Sequence, residues 1–217
     1  MGDAKRLLSG KWRLAWVFGA LLLLMGMAYP APHANAQWCA DVDLVVARGT
    51  GEPGYLGTGL GDPLYGALSD RLPVSVSAYP VNYPADLTDI FSVGKGSADL
   101  VAHLAYQASV CPDQRFILAG YSQGAVVVHT ALGTGITNGI PGAVRMDGDL
   151  GARVSSVLLF GDPLRLIGWS VPDPYLWRTA DYCAAGDPIC GGGLDPNAHT
   201  VYGGFVGAAA DFADSRL

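Results

Sequence analysis

A serine lies at the centre of Gly120-Tyr121-Ser122-Gln123-Gly124, which has the pattern G-x-S-x-G. The apolar run before it, Arg115–Ala119, predicts a buried strand, and the apolar segment after it, Gln123–Leu132, predicts a helix. A serine on such a sharp turn presents its hydroxyl at the carboxyl edge of a sheet, where the N-terminus of the helix favours negative charge. This context predicts that Ser122 is a nucleophile rather than a helix cap in a glycine-rich turn.

A serine hydroxyl needs a base to remove its proton, and the base is usually oriented by a carboxylate. Among the histidines after residue 36, His103 precedes the serine within a helical pattern, and His129 lies two turns along the helix that follows it. His199 lies just before the last predicted helix, in the chain order serine, acid, histidine that is typical of nucleophile-elbow hydrolases. The sequence therefore predicts His199 as the base.

Two aspartates are candidates for the acid. Asp187 lies between Cys183 and Cys190, where a disulfide would hold it rigidly a dozen residues before the base. Asp162 directly follows an apolar run, but an Asp-Pro pair at that position is also typical of an ordinary turn. Rigid placement favours Asp187, and Asp162 stays as the alternative.

A developing oxyanion needs two donors. One is the backbone N–H of Gln123, and the loop Arg48–Glu52, which follows the first predicted strand, is expected to supply the other. The same loop contains Gly49-x-Gly51-x-x-Gly54, the pattern of a dinucleotide-binding turn. Pro53 and further glycines replace the helix that such a turn requires, so we predict no dinucleotide site.

The first 36 residues have the order of a secretory signal peptide. Basic residues up to Arg13 precede the apolar stretch Leu14–Tyr29, and Ala34-Asn35-Ala36 provides a small-residue cleavage site. The stretch is shorter than the roughly 20 residues that span a bilayer, so a membrane anchor is the weaker interpretation. We expect cleavage after Ala36 and a secreted chain of residues 37–217, free or retained at the cell envelope, with no stable membrane insertion.

Composition excludes several classes of protein. The chain has 217 residues, of which 50% are hydrophobic and 15% are charged, and this excludes a disordered protein. Its net charge is −6. Residues 1–36 contain four of the 13 basic and one of the 19 acidic residues, which leaves 9 against 18, or −9, after cleavage. Such a charge argues against nucleic acid as a partner.

All four cysteines follow residue 36, as expected for a protein with disulfides in an oxidising compartment. Four cysteines allow three pairings, and proximity in sequence favours Cys183–Cys190. There is no C-x-x-C pair in the sequence, which argues against a zinc site.

Short apolar runs alternate with helical patterns after residue 36. The predicted strands are Asp41–Ala47, Val74–Val81, Arg115–Ala119, Val154–Phe160 and, more weakly, Leu176–Tyr182. The predicted helices are Pro63–Leu72, Ser97–Val110, Gln123–Leu132 and Thr200–Ala213. This alternation predicts one α/β domain, residues 37–217, with a parallel sheet covered on both faces.

Together these features resemble the cutinases and cutinase-like serine esterases, including their mycobacterial branch. The resemblance covers nearly all of the chain after residue 36. The segments that carry it are ARGTGEPGYLG at 47–57, CPDQRFILAGYSQGA at 111–125, VLLFGDP at 157–163 and YCAAGDPIC at 182–190, followed by His199.

The resemblance implies a compact α/β hydrolase with a five-stranded parallel sheet flanked by helices and no lid domain. It implies Ser122, Asp187 and His199 as the catalytic residues, and Thr50 with Gln123 as the oxyanion donors. The implied disulfides are Cys39–Cys111 and Cys183–Cys190. The implied activity is hydrolysis of carboxylic esters of short- to medium-chain acids, and we expect a monomer that needs no metal or other cofactor.

One segment departs from the family. Fungal cutinases have a strongly apolar loop between acid and base, whereas Gly191–Ala198 is flexible and rather polar. This favours soluble esters or lipids over insoluble cutin. Four apolar side chains are candidates for an acyl groove, or else for ordinary packing: Trp169, Tyr175, Leu176 and Trp177.

Other functions remain open at the level of sequence. They are a phospholipase A or lipase, an acetylxylan-type esterase, an acyltransferase acting on envelope lipids or sugars, and a catalytically silent secreted binding protein.

Overall fold

The computed structural model describes residues 39–217, and the predicted signal peptide lies outside the described residues. The strands are β1 (Val42–Ala47), β2 (Val76–Pro80), β3 (Arg115–Tyr121), β4 (Val154–Phe160) and β5 (Thr179–Tyr182). The helices are α1 (Gly61–Arg71), α2 (Ser92–Val110), α3 (Gln123–Leu132), α4 (Gly148–Ala152), α5 (Pro163–Leu166) and α6 (Val206–Asp214). Single 3-10 turns cover residues 135–139, 176–178, 196–200 and 202–205.

The five strands form one parallel sheet in the order β2-β1-β3-β4-β5. Every residue of β1 and β4 is buried, because helices cover both faces of the parallel sheet. The edge strands β2 and β5 are only half-buried.

Alternate side chains of β1 point to opposite faces of the sheet. Leu44 and Val46 pack in a cluster with α1 and α6, whereas Val45 and Ala47 pack in a second cluster with α2 and α3. The carboxyl ends of all five strands meet at one edge. The strand order reverses direction between β1 and β3, and ligands of open α/β sheets bind at such a switch point.

The predicted α/β architecture with a five-stranded parallel sheet is confirmed, but several element bounds differ. The predicted strand at 176–182 is wrong in its first half, because residues 176–178 form a 3-10 turn. The predicted helix at 200–213 begins only at Val206, after turns that include Gly203 and Gly204, which are weak helix formers.

Helix α2 begins five residues earlier than predicted, at Ser92. Two glycines in its first turns, Gly94 and Gly96, weaken the helical signal in the sequence. Packing explains both of them. A Cβ atom on Gly94 would lie 2.0 Å from the Pro141 carbonyl oxygen, and one on Gly96 would lie 2.8 Å from the Val127 side chain.

Two disulfides hold opposite edges of the sheet. Cys39 and Cys111 precede β1 and β3, and their bond lies at the amino edge. Cys183 and Cys190 follow β5, and their bond closes a short loop at the carboxyl edge. These are the two pairs that the resemblance implies.

Replacing Cys39 and Cys111 together by alanine is expected to lower the free energy of unfolding by about 4 kcal/mol, because the bond closes a long loop, with a separation of 72 residues. The same replacement of Cys183 and Cys190, with a separation of 7, is expected to cost about 2 kcal/mol. Urea unfolding measures both losses. A larger loss for the shorter loop would contradict the loop-entropy explanation.

Candidate active site

Ser122 lies on the turn between β3 and α3 in a strained conformation, with φ 54° and ψ −116°. Such a conformation costs on the order of 1–3 kcal/mol in a residue with a side chain. The Ser122 amide donates to the Phe160 carbonyl oxygen at 2.9 Å, which anchors the turn to β4. A Cβ atom on Gly124 would lie 1.9 Å from the Ala47 carbonyl oxygen, so only glycine lets α3 begin this close to β1.

His199 bridges Ser122 and Asp187. Its Nε2 atom lies 2.9 Å from the Ser122 Oγ atom, and its Nδ1 atom lies 2.7 Å from the Asp187 Oδ2 atom. Both are hydrogen-bond distances. The imidazole can therefore take the serine proton at Nε2 while the carboxylate holds the proton on Nδ1.

Asp187 is fully buried in the loop that the Cys183–Cys190 disulfide closes. Burial by itself raises the pKa of this carboxyl. Hydrogen bonds from the Tyr202 hydroxyl, from His199 and from the Ile189 amide outweigh burial, and the pKa is lowered from its ordinary value of 3.8. Asp187 is therefore ionised at neutral pH, as a partner of an imidazolium must be.

Replacing Tyr202 by phenylalanine is expected to destabilise the protein by about 1.5–3 kcal/mol at pH 7, because a hydrogen bond to a carboxylate is lost. The folded pKa of Asp187 lies below the unfolded one. The stability that comes from this shift is therefore fully present above pH 3.8 and is lost as the pH falls through the folded pKa. In urea unfolding, the difference between variant and wild type should shrink as the pH is lowered from 7 to 2.

Tyr182→Phe is the matched control. The Tyr182 ring stacks on Phe160, which the Tyr202 ring also contacts. The Tyr182 hydroxyl has no hydrogen-bond partner among residues 39–217. The Tyr202 hydroxyl also accepts from the Ala184 amide at 3.2 Å, and that contribution does not vary with the charge of Asp187. The same hydroxyl also lies 3.2 Å from Cys190 Sγ. A difference in stability that is the same at every pH would therefore assign the whole effect to the Ala184 and Cys190 contacts and contradict the role of Asp187.

The other two histidines within residues 39–217 have carboxylate partners of their own. His129 Nε2 lies 2.9 Å from Asp162 Oδ2, and both side chains are buried. His103 Nε2 lies 2.7 Å from Asp43 Oδ2. Asp162, the alternative acid, therefore contacts a histidine other than His199.

Unpartnered amides lie at the two neighbouring strand ends where the oxyanion donors were predicted. Thr50 follows β1 and Gln123 begins α3, and within residues 39–217 neither backbone N–H has a hydrogen-bond partner. The adjacent Gly49 amide, by contrast, donates to Glu52 Oε2 at 2.8 Å. The amides of Thr50 and Gln123 are therefore available to bind a developing oxyanion.

The loop between β2 and α2 supports both strand ends. The Ala85 carbonyl oxygen accepts from the Gly51 amide at 2.9 Å, and the Asp86 carbonyl oxygen accepts from Gln123 Nε2 at 3.2 Å. The same loop exposes three large apolar side chains, namely Leu87, Ile90 and Phe91. An apolar surface thus lies on the Gln123 side of the serine.

The earlier acyl-groove interpretation is wrong for at least three of its four residues. Leu176 and Trp177 precede β5, so they lie at the amino edge, opposite the edge that carries Ser122. The Trp177 ring faces the Arg178 and Arg216 guanidinium groups. Tyr175 is buried in the core. The sequence could not show which edge of the sheet carries Leu176 and Trp177, because that depends on the residue at which β5 begins.

A cavity of about 240 Å³ opens on the other side of the serine. We call it the hydroxyl pocket. Its lining residues are Thr50, Glu52, Thr58, Gly59, Tyr121, Thr200 and Tyr202, all but one of which carry a hydroxyl or a carboxylate.

Three side chains that support the site were missed in the sequence. Glu52 accepts from the amides of Gly49 and Gly59, the Tyr121 hydroxyl donates to the His199 carbonyl oxygen, and Tyr202 donates to Asp187. A lone carboxylate in a glycine-rich loop is a signal that could have indicated Glu52. Tyr121 occupies a variable position of G-x-S-x-G, so no pattern marks it.

Among residues 39–217, no three His, Cys, Asp or Glu side chains lie close enough together to hold a metal ion. In the same part of the chain, no helix has the length and apolar character needed to cross a membrane.

The sequence profile of the family described as Cutinase matches residues 38–217. The chain belongs to the cutinase family. It is accordingly a carboxylic-ester hydrolase with the compact α/β fold of that family.

Three relatives illustrate the range of similarity to this cutinase-family chain. A cutinase of Kineococcus radiotolerans is 42% identical over 165 residues, which cover 72% of this chain and 53% of that longer protein. Phospholipase Culp4 of Mycobacterium tuberculosis is 34% identical, with 96% of each chain covered. The solved structure of Trichoderma reesei cutinase in complex with a C11Y4 phosphonate inhibitor has a TM-score of 0.68 and 30% identity, covering 81% of this chain and 75% of that one.

In this cutinase-family site, the His199 ring lies so close to residue 161 that only glycine leaves room for it. Gly161 has φ 56°, and a Cβ atom there would lie 2.7 Å from His199 Cε1. Gly161→Ala is therefore expected to displace the imidazole and to lower kcat/KM for p-nitrophenyl butyrate by about 10²-fold or more. Gly168→Ala is the control, because Gly168 has a similar φ of 76° but open space around it. Equal losses in the two variants would assign the effect to backbone strain instead.

Proposed function

We propose that this chain is an exported serine esterase that hydrolyses carboxylic esters of short- to medium-chain acids, with Ser122 as nucleophile, His199 as base and Asp187 as acid. The observation that carries the proposal is the pair of hydrogen bonds from His199, at 2.9 Å to Ser122 and 2.7 Å to Asp187. The unpartnered amides of Thr50 and Gln123 supply the oxyanion donors.

In the first half of the reaction, Ser122 Oγ attacks the ester carbonyl carbon while its proton moves to His199 Nε2. Asp187 stabilises the imidazolium that forms, and the N–H groups of Thr50 and Gln123 hold the carbonyl oxygen as it becomes negative. The imidazolium then gives its proton to the ester oxygen. The C–O bond breaks, the alcohol leaves, and the acyl group stays on Ser122.

In the second half, water attacks the acyl-enzyme. His199 Nε2 takes a proton from this water, the second tetrahedral intermediate forms, and the same proton returns to Ser122 Oγ as the acid is released. No step uses a group beyond the chain, water and the ester, so we propose a mechanism that needs no cofactor.

An active-site label tests the nucleophile directly. A fluorophosphonate should attach once per molecule, and peptide mass analysis should place it on Ser122. The Trichoderma reesei relative in complex with a phosphonate inhibitor supports this choice of probe. Folded protein that resists the label would overturn the proposal and favour a silent binding protein.

A phospholipase A activity is the second candidate. It is favoured by the 34% identity to Phospholipase Culp4 and by the exposed Leu87, Ile90 and Phe91 beside the oxyanion donors. A series of p-nitrophenyl esters from acetate to palmitate, with phosphatidylcholine vesicles in parallel, separates the two. An esterase should be fastest at short to medium chains, whereas a phospholipase should release fatty acid from the vesicles at a comparable rate.

Export is a proposal on sequence grounds, with cleavage after Ala36. The two disulfides support it, since such bonds persist in oxidising compartments. N-terminal sequencing of the exported protein should begin at Gln37. A chain found outside the cell with its first 36 residues intact would instead indicate an uncleaved anchor.

A further inference from the structure

The hydroxyl pocket differs chemically from the surface on the other side of the serine. Hydroxyl-bearing side chains, one carboxylate and a similar amount of apolar surface line it, whereas the loop beside Gln123 exposes the large apolar side chains of Leu87, Ile90 and Phe91. We propose that the hydroxyl pocket binds the alcohol portion of the ester, and that this portion is a polyol of the size of one glycerol or one sugar unit. This inference rests on the esterase activity proposed above.

The position of His199 places the alcohol near this pocket. The leaving oxygen must receive its proton from His199 Nε2, so the alcohol lies on the imidazole side of the site. Thr200, the residue after His199, lines the pocket. Tyr121, whose hydroxyl donates to the His199 carbonyl oxygen, lines it as well.

The two halves of the ester thus meet different faces of the fold. The apolar loop leads into α2, which packs with α3 on one face of the sheet. The hydroxyl pocket lies between the loop from β1 to α1 and the segment around Thr200 and Tyr202, towards the face that α1 and α6 cover. An ester that crosses the sheet edge therefore has large apolar side chains beside its acyl chain and free hydrogen-bonding groups beside its alcohol.

The polar groups of the pocket have unused hydrogen-bonding capacity. Within the described residues, the hydroxyls of Thr50 and Thr58 have no hydrogen-bond partner. Each carboxylate oxygen of Glu52 accepts one amide, from Gly49 at 2.8 Å and from Gly59 at 2.9 Å, and so keeps a free lone pair. A polyol both donates and accepts, and it can therefore satisfy the threonines and the glutamate together.

The size of the pocket limits the alcohol. Its volume of about 240 Å³ is below the range of roughly 300–1,000 Å³ that is typical of sites for drug-sized ligands. One glycerol or one sugar ring is therefore a better match than an extended chain.

Three esters of the same acid test the proposal: ethyl butyrate, glyceryl monobutyrate and methyl 6-O-butyrylglucoside. We expect kcat/KM for at least one polyol ester to exceed that for the ethyl ester by about 10-fold, since a net hydrogen bond contributes up to roughly that factor. The glycerol and glucoside substrates distinguish a glyceride-type alcohol from a sugar-type one.

Thr58→Val removes one pocket hydroxyl with little change of shape, and it should lower the ratio of polyol ester to ethyl ester about fivefold. Thr137→Val is the matched control, because Thr137 lies beyond the far end of α3 and donates to the Thr130 carbonyl oxygen. This control should leave the ratio unchanged.

Trapping of the acyl-enzyme by added alcohols tests the pocket in the wild-type protein, so the result does not depend on whether a variant folds. In the presence of an added alcohol, the alcohol oxygen attacks the acyl carbon while its proton passes to His199 Nε2; the bond from the acyl carbon to Ser122 Oγ then breaks, and the same proton moves to Ser122 Oγ. Glycerol or methyl glucoside should trap the butyryl group at a concentration about tenfold lower than 1-propanol does.

Equal kcat/KM for the three esters, or equal trapping by glycerol, methyl glucoside and 1-propanol, would overturn the polyol pocket while leaving the esterase intact. A Ser122→Ala variant that hydrolyses all three esters at the wild-type rate would instead overturn the esterase mechanism itself.

Discussion

Ser122→Ala is expected to lower kcat for p-nitrophenyl butyrate by about 10⁶-fold, the loss that follows when a serine hydrolase loses its nucleophile. The alanine keeps the Cβ atom, so it adopts the same strained turn as serine without a new clash. The proposed oxyanion donors, the amides of Thr50 and Gln123, stay in place, and a residual rate above that in water should remain.

Ser109→Ala is a suitable control for this loss. It removes an exposed serine hydroxyl that, among the described residues, donates only to the Tyr106 carbonyl oxygen, near the end of α2. Steady-state kinetics should give the control wild-type values. A Ser122→Ala enzyme that keeps more than a small fraction of wild-type kcat would show that another group is the nucleophile.

Asp187→Asn is expected to lower kcat by about 10⁴-fold, because an amide stabilises the wrong tautomer of the histidine. The asparagine N–H would donate to His199 Nδ1, which leaves the proton on Nε2, where the serine proton must go. The amide nitrogen would also face the Tyr202 hydroxyl, which donates to the same carboxylate oxygen in the wild type.

Two further variants make this second prediction specific. Asp195→Asn changes a carboxylate in the same stretch of chain, which within residues 39–217 accepts only from the Asn197 amide, and it should retain activity. Asp162→Asn tests the alternative acid. If Asp162→Asn loses 10⁴-fold in kcat while Asp187→Asn does not, the two aspartates must exchange roles.

The sheet could be predicted because its central strands carry a strong signal. The run Val154–Phe160 is buried at every position, and its bounds in the structure are those that the sequence predicts. The edge strand β5 is short and half-buried, so its apolar signal merges with that of Leu176 and Trp177. Burial on both faces makes a strand recognisable, and an edge strand lacks it.

The candidate site was predictable where the chemistry requires a residue type. The proposed mechanism requires a serine, a histidine and a carboxylate, and few positions of the sequence qualified. The supporting contacts of Tyr121, Tyr202 and Glu52 were not predictable, because they depend on which loops meet at the sheet edge. Tyr202, for example, reaches Asp187 across 15 residues of chain.

Strand β5 has only four residues, lies at the edge of the sheet, and leads directly to the loop that carries Asp187. Local opening costs less free energy at such an edge than unfolding of the buried strands does. If this edge opens, the carboxylate separates from His199 while β1, β3 and β4 stay paired. On heating, we therefore expect activity to be lost at a lower temperature than the circular dichroism signal of the sheet. The upper temperature limit of activity would then depend on the stability of β5 and not on that of the core strands.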